Sequence, residues 1–211
     1  MQRLIEGVHK FRTDAFGNYR KLFRKLSQEG QNPHTLFITC SDSRVLAELI
    51  TQSKPGDLFV VKNVGNIVPP ASAKGDTNST AAAIEFAVEN LRVSDIVICG
   101  HSQCGAISAL LGETSVGKST PHLRDWLHLA EPVLGTMKKE YAHLKTATER
   151  STAAAVENVL FGLENLHSYH CVQERLMDGS LRLHGWFFEI ATAELFAYDP
   201  ELLQFQPLVQ E

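Results

Sequence analysis

Long apolar runs are missing from this chain. The longest, such as Ile96 to Cys99, fall far short of the roughly 20 residues a helix needs to cross a bilayer, so no helical membrane span is expected. A surplus of basic charge is missing too. Lys and Arg number 20 against 24 Asp and Glu, a formal net charge of −4, and the pI is near 6.1. Phosphate backbones and anionic membrane surfaces attract basic proteins, so neither nucleic acid nor membrane is an expected partner. The N-terminus has no uninterrupted apolar stretch, and Glu6 and Asp14 argue against a transit peptide. The expected location is therefore the cytoplasm, unless a targeting segment precedes Met1. Cysteine is scarce: Cys40, Cys99, Cys104 and Cys171 are few and scattered. In a reducing compartment this favours metal ligation, catalysis or plain burial over disulfides. No internal repeat or low-complexity tract is present.

What the chain does have is enough apolar material for one core. Its 211 residues, 44% of them hydrophobic, suffice for one α/β domain but not for two ordinary domains and a linker. The expected organisation is a single domain over residues 1–211, with a helical arm at 1–30 and an α/β core at 34–200. Leu4, Ile5, Val8, Phe11, Phe16, Tyr19, Leu22, Phe23 and Leu26 recur near helical spacing, which predicts one or two amphipathic helices. Gly30, Asn32 and Pro33 break them. Thr35–Cys40 then reads as a short strand ending in the polar Ser41-Asp42-Ser43-Arg44. A helix around Leu46 to Thr51, a Pro55-Gly56-Asp57 turn and a strand from Leu58 to Lys62 follow. Gly65, Pro69, Pro70 and Gly75 predict a loop, Thr80 to Leu91 a helix, Asp95 to Gly100 a third strand, and His101 the start of another loop. Beyond Gly105 the chain is expected to be mainly helical through Met177, with breaks at 112–121 and near Pro132. It closes with strands at 181–190 and 195–198. Strands alternating with helices predict a mostly parallel central sheet flanked by helices, with an antiparallel C-terminal edge.

Cys40 ends the first predicted strand, and His101 and Cys104 lie just past the end of the third. Carboxyl ends of parallel strands line one edge of a sheet, and crevices form there between strands whose crossovers run opposite ways. Two thiolates and one imidazole suit Zn²⁺ and leave a fourth tetrahedral position open, the mark of a catalytic site. Asp42 is placed to fill that position or to accept a hydrogen bond from a water there, and Arg44 to hold the carboxylate by a bidentate pair. The competing reading is that Cys40, Cys99 and Cys104 are small buried apolar residues.

Cys40-Ser-Asp-Ser-Arg44, Gly56-Asp-Leu-Phe-Val, Asn63-Val-Gly-Asn66 and Gly100-His-Ser-Gln-Cys-Gly105 together resemble the β-class carbonic anhydrases, from about Leu4 to Leu183-His-Gly-Trp186. The resemblance implies one Zn²⁺ per chain on Cys40, His101 and Cys104, with Asp42 and Arg44 as the catalytic dyad. It also implies reversible hydration of CO2 to bicarbonate and a proton by a zinc-bound hydroxide, with Asp42 a ligand only in a closed state. Phe59, Val64, Phe86, Gln31 and Gly105 are implied as the substrate pocket, partly supplied by a neighbouring subunit. A dimer or dimer of dimers is implied, with the N-terminal helices embracing the partner. Carbon disulfide or carbonyl sulfide hydrolysis on the same fold, and an inactive zinc-bound scaffold, are the alternatives. A carboxysome shell partner, with a carboxysomal location, is not favoured, since little chain follows Asp199. Relatives with an allosteric bicarbonate site carry Trp in place of Phe37 and Arg in place of Lys62, so an open site is expected. Position 86 is often Tyr in the family, and Asn78-Ser79-Thr80 stands where Gly is usual.

Some motifs resist a functional reading. Gly112 to Ser119 matches the P-loop pattern, but a helix is expected to enter it where a P-loop needs a strand. Asn78-Ser-Thr80 fits a glycosylation acceptor that a cytoplasmic chain would not use. Cys99 is expected to pack at the end of its strand, turned away from His101. Cys171, near His167 and His170, is read as buried or exposed rather than as a second metal site. One of His9, His34, His122, His128, His143 and His184 could shuttle protons, and the sequence does not choose among them.

Overall fold

The computed structural model describes residues 1–72, 78–114, 117 and 119–208. The helical periodicity of the first residues becomes a long arm: α1 (Gln2–Lys10), a π-helical turn (Phe11–Ala15) and α2 (Phe16–Glu29). Gly30 ends it at φ 82. None of the arm's residues is buried. Its base rests on the body through Leu26, which lies over Gly56. A Cβ added there would stand 2.8 Å from Leu26 Cδ2, and φ of +97 independently favours glycine.

β1 (Thr35–Cys40) is buried at all six positions, as a central parallel strand covered on both faces should be. It pairs in parallel with β2 (Leu58–Asn63), Cys40 opposite Asn63, and with β3 (Asp95–His101), Thr39 opposite Cys99. β4 (Arg182–Glu189) continues the parallel set beside β3, and β5 (Glu194–Asp199) and β6 (Gln204–Pro207) add the antiparallel edge. The sheet order is β2-β1-β3-β4-β5-β6, which is the expected α/β class. Two details depart from expectation. His101 is the last residue of β3 and not the first of a loop, because its backbone still pairs with Phe188. β6 has no counterpart in the sequence reading: it is four residues long and ends in Pro207, as an edge strand allows.

Alternation along the strands builds two apolar layers. Leu36, Ile38, Ile96 and Ile98 pack with Val159 and Leu166, while Phe37, Val97 and Cys99 pack with Val45, Ala47 and Phe188. The first layer is covered by α8 (Ala147–Leu166), which starts at a capping box between Thr146 and Glu149. That start marks a break after α7 (Pro132–Glu140) which the helical reading through Met177 passed over. The remaining helices are α3 (Ala47–Thr51), α4 (Ser79–Glu85), α5 (Gly105–Leu110), α6 (Pro121–His128) and α9 (His170–Met177). α4 runs into a π-helical segment, Phe86–Asn90. The Asn78 side chain caps α4 by accepting from the amides of Thr80 and Ala81, and Thr80 Oγ1 accepts from Asn63 Nδ2 at 3.1 Å. These bonds give the Asn78-Ser79-Thr80 departure a structural role.

α5, not a strand, leads into the segment that begins at Gly112, so the context a P-loop requires is missing. Gly75 and Lys118 lie outside the described residues. Among the described residues no helix is long and apolar enough to cross a membrane.

α8 reaches the sheet closely because glycines stand at the contacts. A Cβ on Gly100 would lie 2.8 Å from Val159 Cγ2 and 3.3 Å from the Ala155 carbonyl oxygen. Gly100→Ala is therefore expected to cost about 1–3 kcal/mol of stability through overpacking strain, read as a lower urea midpoint. An unchanged midpoint would show that α8 shifts freely at this contact.

Candidate metal centre

The chain leaves β1 for β2 on one side and returns to β3 on the other, which makes the gap between β1 and β3 the switch point of the sheet. Cys40 ends β1, His101 ends β3, and Cys104 is the N-cap residue just before α5. The two Sγ atoms are 3.9 Å apart, and these with a ring nitrogen of His101 all lie within 4.8 Å of one another. Two sulfurs at about 2.3 Å around a tetrahedral zinc would sit roughly 3.8 Å apart. All three side chains are buried.

His101 Nδ1 lies 2.9 Å from the Ser102 carbonyl oxygen. The carbonyl can only accept, so Nδ1 carries the proton and Nε2 offers a lone pair. Nε2 is buried with no hydrogen-bond partner, as is Asn66 Nδ2. An orphaned acceptor beside two thiols is what a metal ligand leaves behind. The hydrogen bond from the Cys104 thiol draws the Cys40 pKa well below that of an ordinary thiol; burial opposes this, and His101 and the backbone amides add to it. Cys104 moves the opposite way, because it donates to Cys40 and is itself buried. A metal binding here must displace thiol protons, and the lowered Cys40 makes one of them easier to lose. A soft set of two sulfurs and one imidazole fits zinc.

Asp42 lies at the mouth of this group, its Oδ2 4.0 Å from His101 Nε2. Arg44 holds it as expected: Nε donates to Oδ1 at 2.9 Å and Nη2 to Oδ2 at 2.7 Å, while the Arg44 amide donates to Oδ1 at 2.9 Å. Chiefly through these bonds the carboxyl is held well below the usual carboxylate range. Arg44 Nη2 also reaches the Gln103 carbonyl at 3.2 Å, tying the two ligand-bearing loops together. Lys62, which the sequence marks only as a departure from the family pattern, donates through Nζ to the carbonyls of Asp42 and Val45 at 3.1 and 2.7 Å. It pins the turn that carries the dyad.

The five pocket candidates do not gather around one chain's triad. Val64 and Gly105 adjoin it, since the neighbouring Gly65 amide donates to Cys40 Sγ at 3.4 Å and Gly105 follows Cys104. Val64 is further fixed through its carbonyl, which accepts from Trp126 Nε1 at 2.7 Å. Phe59 pairs with Leu36, four residues before Cys40, which is about 13 Å along the strand. Phe86 stands beside it, ring centroids 5.8 Å apart, and is 43% exposed. Gln31 precedes β1 altogether and is exposed.

Cys99 is buried in the Phe37–Phe188 layer, and burial pushes its thiol up to about 12. It stays out of the metal group, though not through alternation, since residues two apart share a strand face. His101 joins the Cys40 side from the last position of its strand. Cys171 is half-buried, and the triad is the one metal-competent group among the described residues.

Residues 35–195 match the carbonic anhydrase family. A carbonic anhydrase from Synechocystis is 45% identical over 205 residues, covering 97% of this chain and 73% of the relative. One from Pseudomonas aeruginosa is 39% identical over 210 residues, covering 100% and 93%. Among solved structures, the β-carbonic anhydrase CcaA superposes with a TM-score of 0.94 at 44% identity, covering 100% of this chain and 93% of that one. A tetrameric β-carbonic anhydrase from Sordaria macrospora gives 0.80 at 30% identity, covering 100% and 98%.

The dyad geometry makes a pH prediction. A depressed pKa means that the Asp42–Arg44 contact stabilises the fold above the ordinary carboxyl pKa, and that this stabilisation is lost as pH falls through the depressed value. Arg44→Met removes the main cause of the depression. The Asp42 carboxyl ¹³C resonance of the variant is expected to titrate near the ordinary value of about 4, while the wild-type resonance stays flat from pH 6 through that region. Matching curves would show that other groups hold the carboxylate.

Proposed function

The chain belongs to the β-class carbonic anhydrases, enzymes of reversible CO2 hydration, and from that premise we propose how its own residues carry the reaction. The observation that carries the reading is the Cys40–His101–Cys104 group with its orphaned Nε2, set beside a carboxylate that a guanidinium keeps ionised. Cys40, His101 and Cys104 would hold one zinc ion per chain, which supplies the lowered water pKa that makes hydroxide present near neutral pH. Asp42, anionic across the physiological range, accepts a hydrogen bond from the reacting water and so aims its lone pair at CO2. Arg44 holds that carboxylate off the metal position. Val64 and Gly105 form the near wall of the CO2 pocket.

Gln31, Phe59 and Phe86 lie too far along the sheet to complete that wall in their own chain, and we assign them to the site of a second copy. The arm supports an assembly: Leu4, Ile5, Val8, Phe11, Tyr19 and Phe23 are all between 37% and 70% exposed, more apolar surface than a lone chain ordinarily leaves in water. Residues 1–30 carry seven basic and three acidic side chains in a chain of net charge −4, so the arm holds +4 and the rest −8. An arm of one sign and a body of the other favour arm-on-partner docking. The assembly is a homodimer or a dimer of dimers, each chain one domain with an arm at 1–30 and a core at 34–200. The proposed location is the cytoplasm, with a carboxysome as the less favoured alternative.

Two measurements test this. Cys40→Ser and His101→Ala are expected to lose zinc and stopped-flow CO2 hydration together, whereas Asp42→Ala keeps most of its zinc and loses activity by about 10²-fold or more. Equal metal loss in all three would mean that Asp42 is misassigned. Phe11, whose ring contacts Phe16 and Phe23 at 6.0 and 6.3 Å, is the arm's centre. Phe11→Asp is expected to move the sedimentation coefficient to that of a monomer and to reduce activity with it, and a variant that stays assembled would contradict the arm's role.

A further inference from the structure

We propose that Ser102 and Glu189 are positioning residues for His101, holding in place the carbonyl that fixes the imidazole. The inference rests on the zinc reading above. The His101 ring is oriented by its Nδ1–H bond to the Ser102 carbonyl oxygen at 2.9 Å, and an acceptor can orient a ring only as well as its own peptide is held.

Ser102 is held from several directions at a point where the sheet no longer does so. The β3–β4 register ends at His101 opposite Phe188. One residue further on, the Ser102 amide donates to the Phe188 carbonyl at 3.0 Å. Its Oγ donates to Glu189 Oε1 at 2.7 Å and accepts from the Ile190 amide at 3.0 Å. The same Glu189 oxygen accepts from the Ala191 amide at 3.2 Å. The side chain thus extends the ladder by one residue where the backbone has begun to turn, and the charged acceptor makes the central bond a strong one. Ser102 is 3% exposed, so its own end of these bonds is buried, while the bonds to Glu189 and Ile190 are part-buried and the one from Ala191 is exposed.

The turn they fix is short and strained. Gln103 adopts φ 54, a left-handed conformation unusual for a side-chain-bearing residue, and Cys104 follows at once. The four residues from His101 to Cys104 therefore carry two ligands. Glu189 anchors them through Ser102, and Arg44 anchors them through the Gln103 carbonyl. A loosened Ser102 frees the His101 ring without removing any ligand.

The test is the rate at which zinc leaves the loaded enzyme, measured by dipicolinate chase, for wild type, Ser102→Ala, Glu189→Leu and Glu189→Gln. The thermal midpoint of each zinc-free protein is recorded beside it. Ser102→Ala and Glu189→Leu are expected to release zinc about 10- to 100-fold faster. Glu189→Gln keeps an oxygen acceptor for Ser102 Oγ and is expected to release it close to the wild-type rate. If Ser102→Ala does not fold, the Glu189→Leu and Glu189→Gln pair decides alone. Unchanged release in Glu189→Leu, or release in Glu189→Gln as fast as in Glu189→Leu, would overturn the proposal, and so would a fall in zinc-free midpoint with no change in release. Those results would leave the zinc site standing, whereas zinc retained by Cys40→Ser and His101→Ala would remove the site itself.

Discussion

The register between β1 and β3 is the constraint from which the rest follows. Parallel strands lie about 4.8 Å apart, and with Thr39 opposite Cys99 the chain must bring Cys40 level with Gly100 and one residue short of His101. Sixty residues of intervening sequence are thereby reduced to one strand spacing. Because the crossovers on either side of β1 diverge, the two side chains meet at that edge, and Cys104 joins them there from the residue before α5, with all three buried. Gly100 keeps the gap aligned: lacking a side chain, it lets α8 press against β3 directly below the ligand. A slip of one residue in the pairing would turn Cys40 to the opposite layer and separate the three donors.

Within that gap the electrostatics are balanced. Two thiolates cancel the formal charge of a divalent zinc, so the metal alone polarises a water less than it would among neutral imidazoles. In the mechanism proposed above, the anionic Asp42 would have to be close enough to orient the water yet be prevented from replacing it. At 4.0 Å from His101 Nε2 it is within reach of the metal position, and the bidentate Arg44 contact is what draws both carboxylate oxygens away. Lys62 acts one step further back. By bridging the carbonyls of Asp42 and Val45 it fixes the turn on which the dyad rests, at the position where the sequence sets this chain apart from relatives with Arg. The geometry of the dyad thus has a hydrogen-bonded support outside the dyad itself.

How much of this could be read in advance depended on how far each contact reaches along the chain. Thr35–Cys40 and Asp95–Gly100 are dense β-prone runs, each followed by a compact motif, so the meeting of Cys40, His101 and Cys104, the Asp42–Arg44 pair and the sheet class were legible. The α7–α8 break is written locally as the Thr146-x-x-Glu149 capping box, within a stretch whose overall pattern is helical. β6 gave little signal, being short and confined to an edge. The π-helical segments at Phe11 and Phe86 arise from helix geometry that apolar periodicity does not encode. Glu189 was beyond reach for a different reason: it meets Ser102 across 87 residues, and only the β3–β4 register determines that meeting. The same holds for Phe59, whose place far from Cys40 follows from its pairing with Leu36.

That placement of Phe59 bears on why the arm exists. A sheet has two ends, and this chain puts its metal ligands at one and Phe59, Phe86 and Gln31 toward the other. A single chain can close neither: the metal group has Val64 at its rim, 41% exposed, and Phe86 remains 43% exposed beside Phe59. Two copies about a twofold axis, as proposed above, would resolve both deficits in one arrangement, since each would present the end that the other lacks and the contact would be made twice. Apolar contact alone would specify this orientation poorly. The opposite charges of arm and body give it direction, because an arm folded onto another arm would bring like charges together while an arm laid on the partner's body would not. In the assembly proposed above, the arm would belong to the catalytic design as much as the zinc ligands: it would set which face of a second chain is brought to the carboxyl ends of β1 and β3.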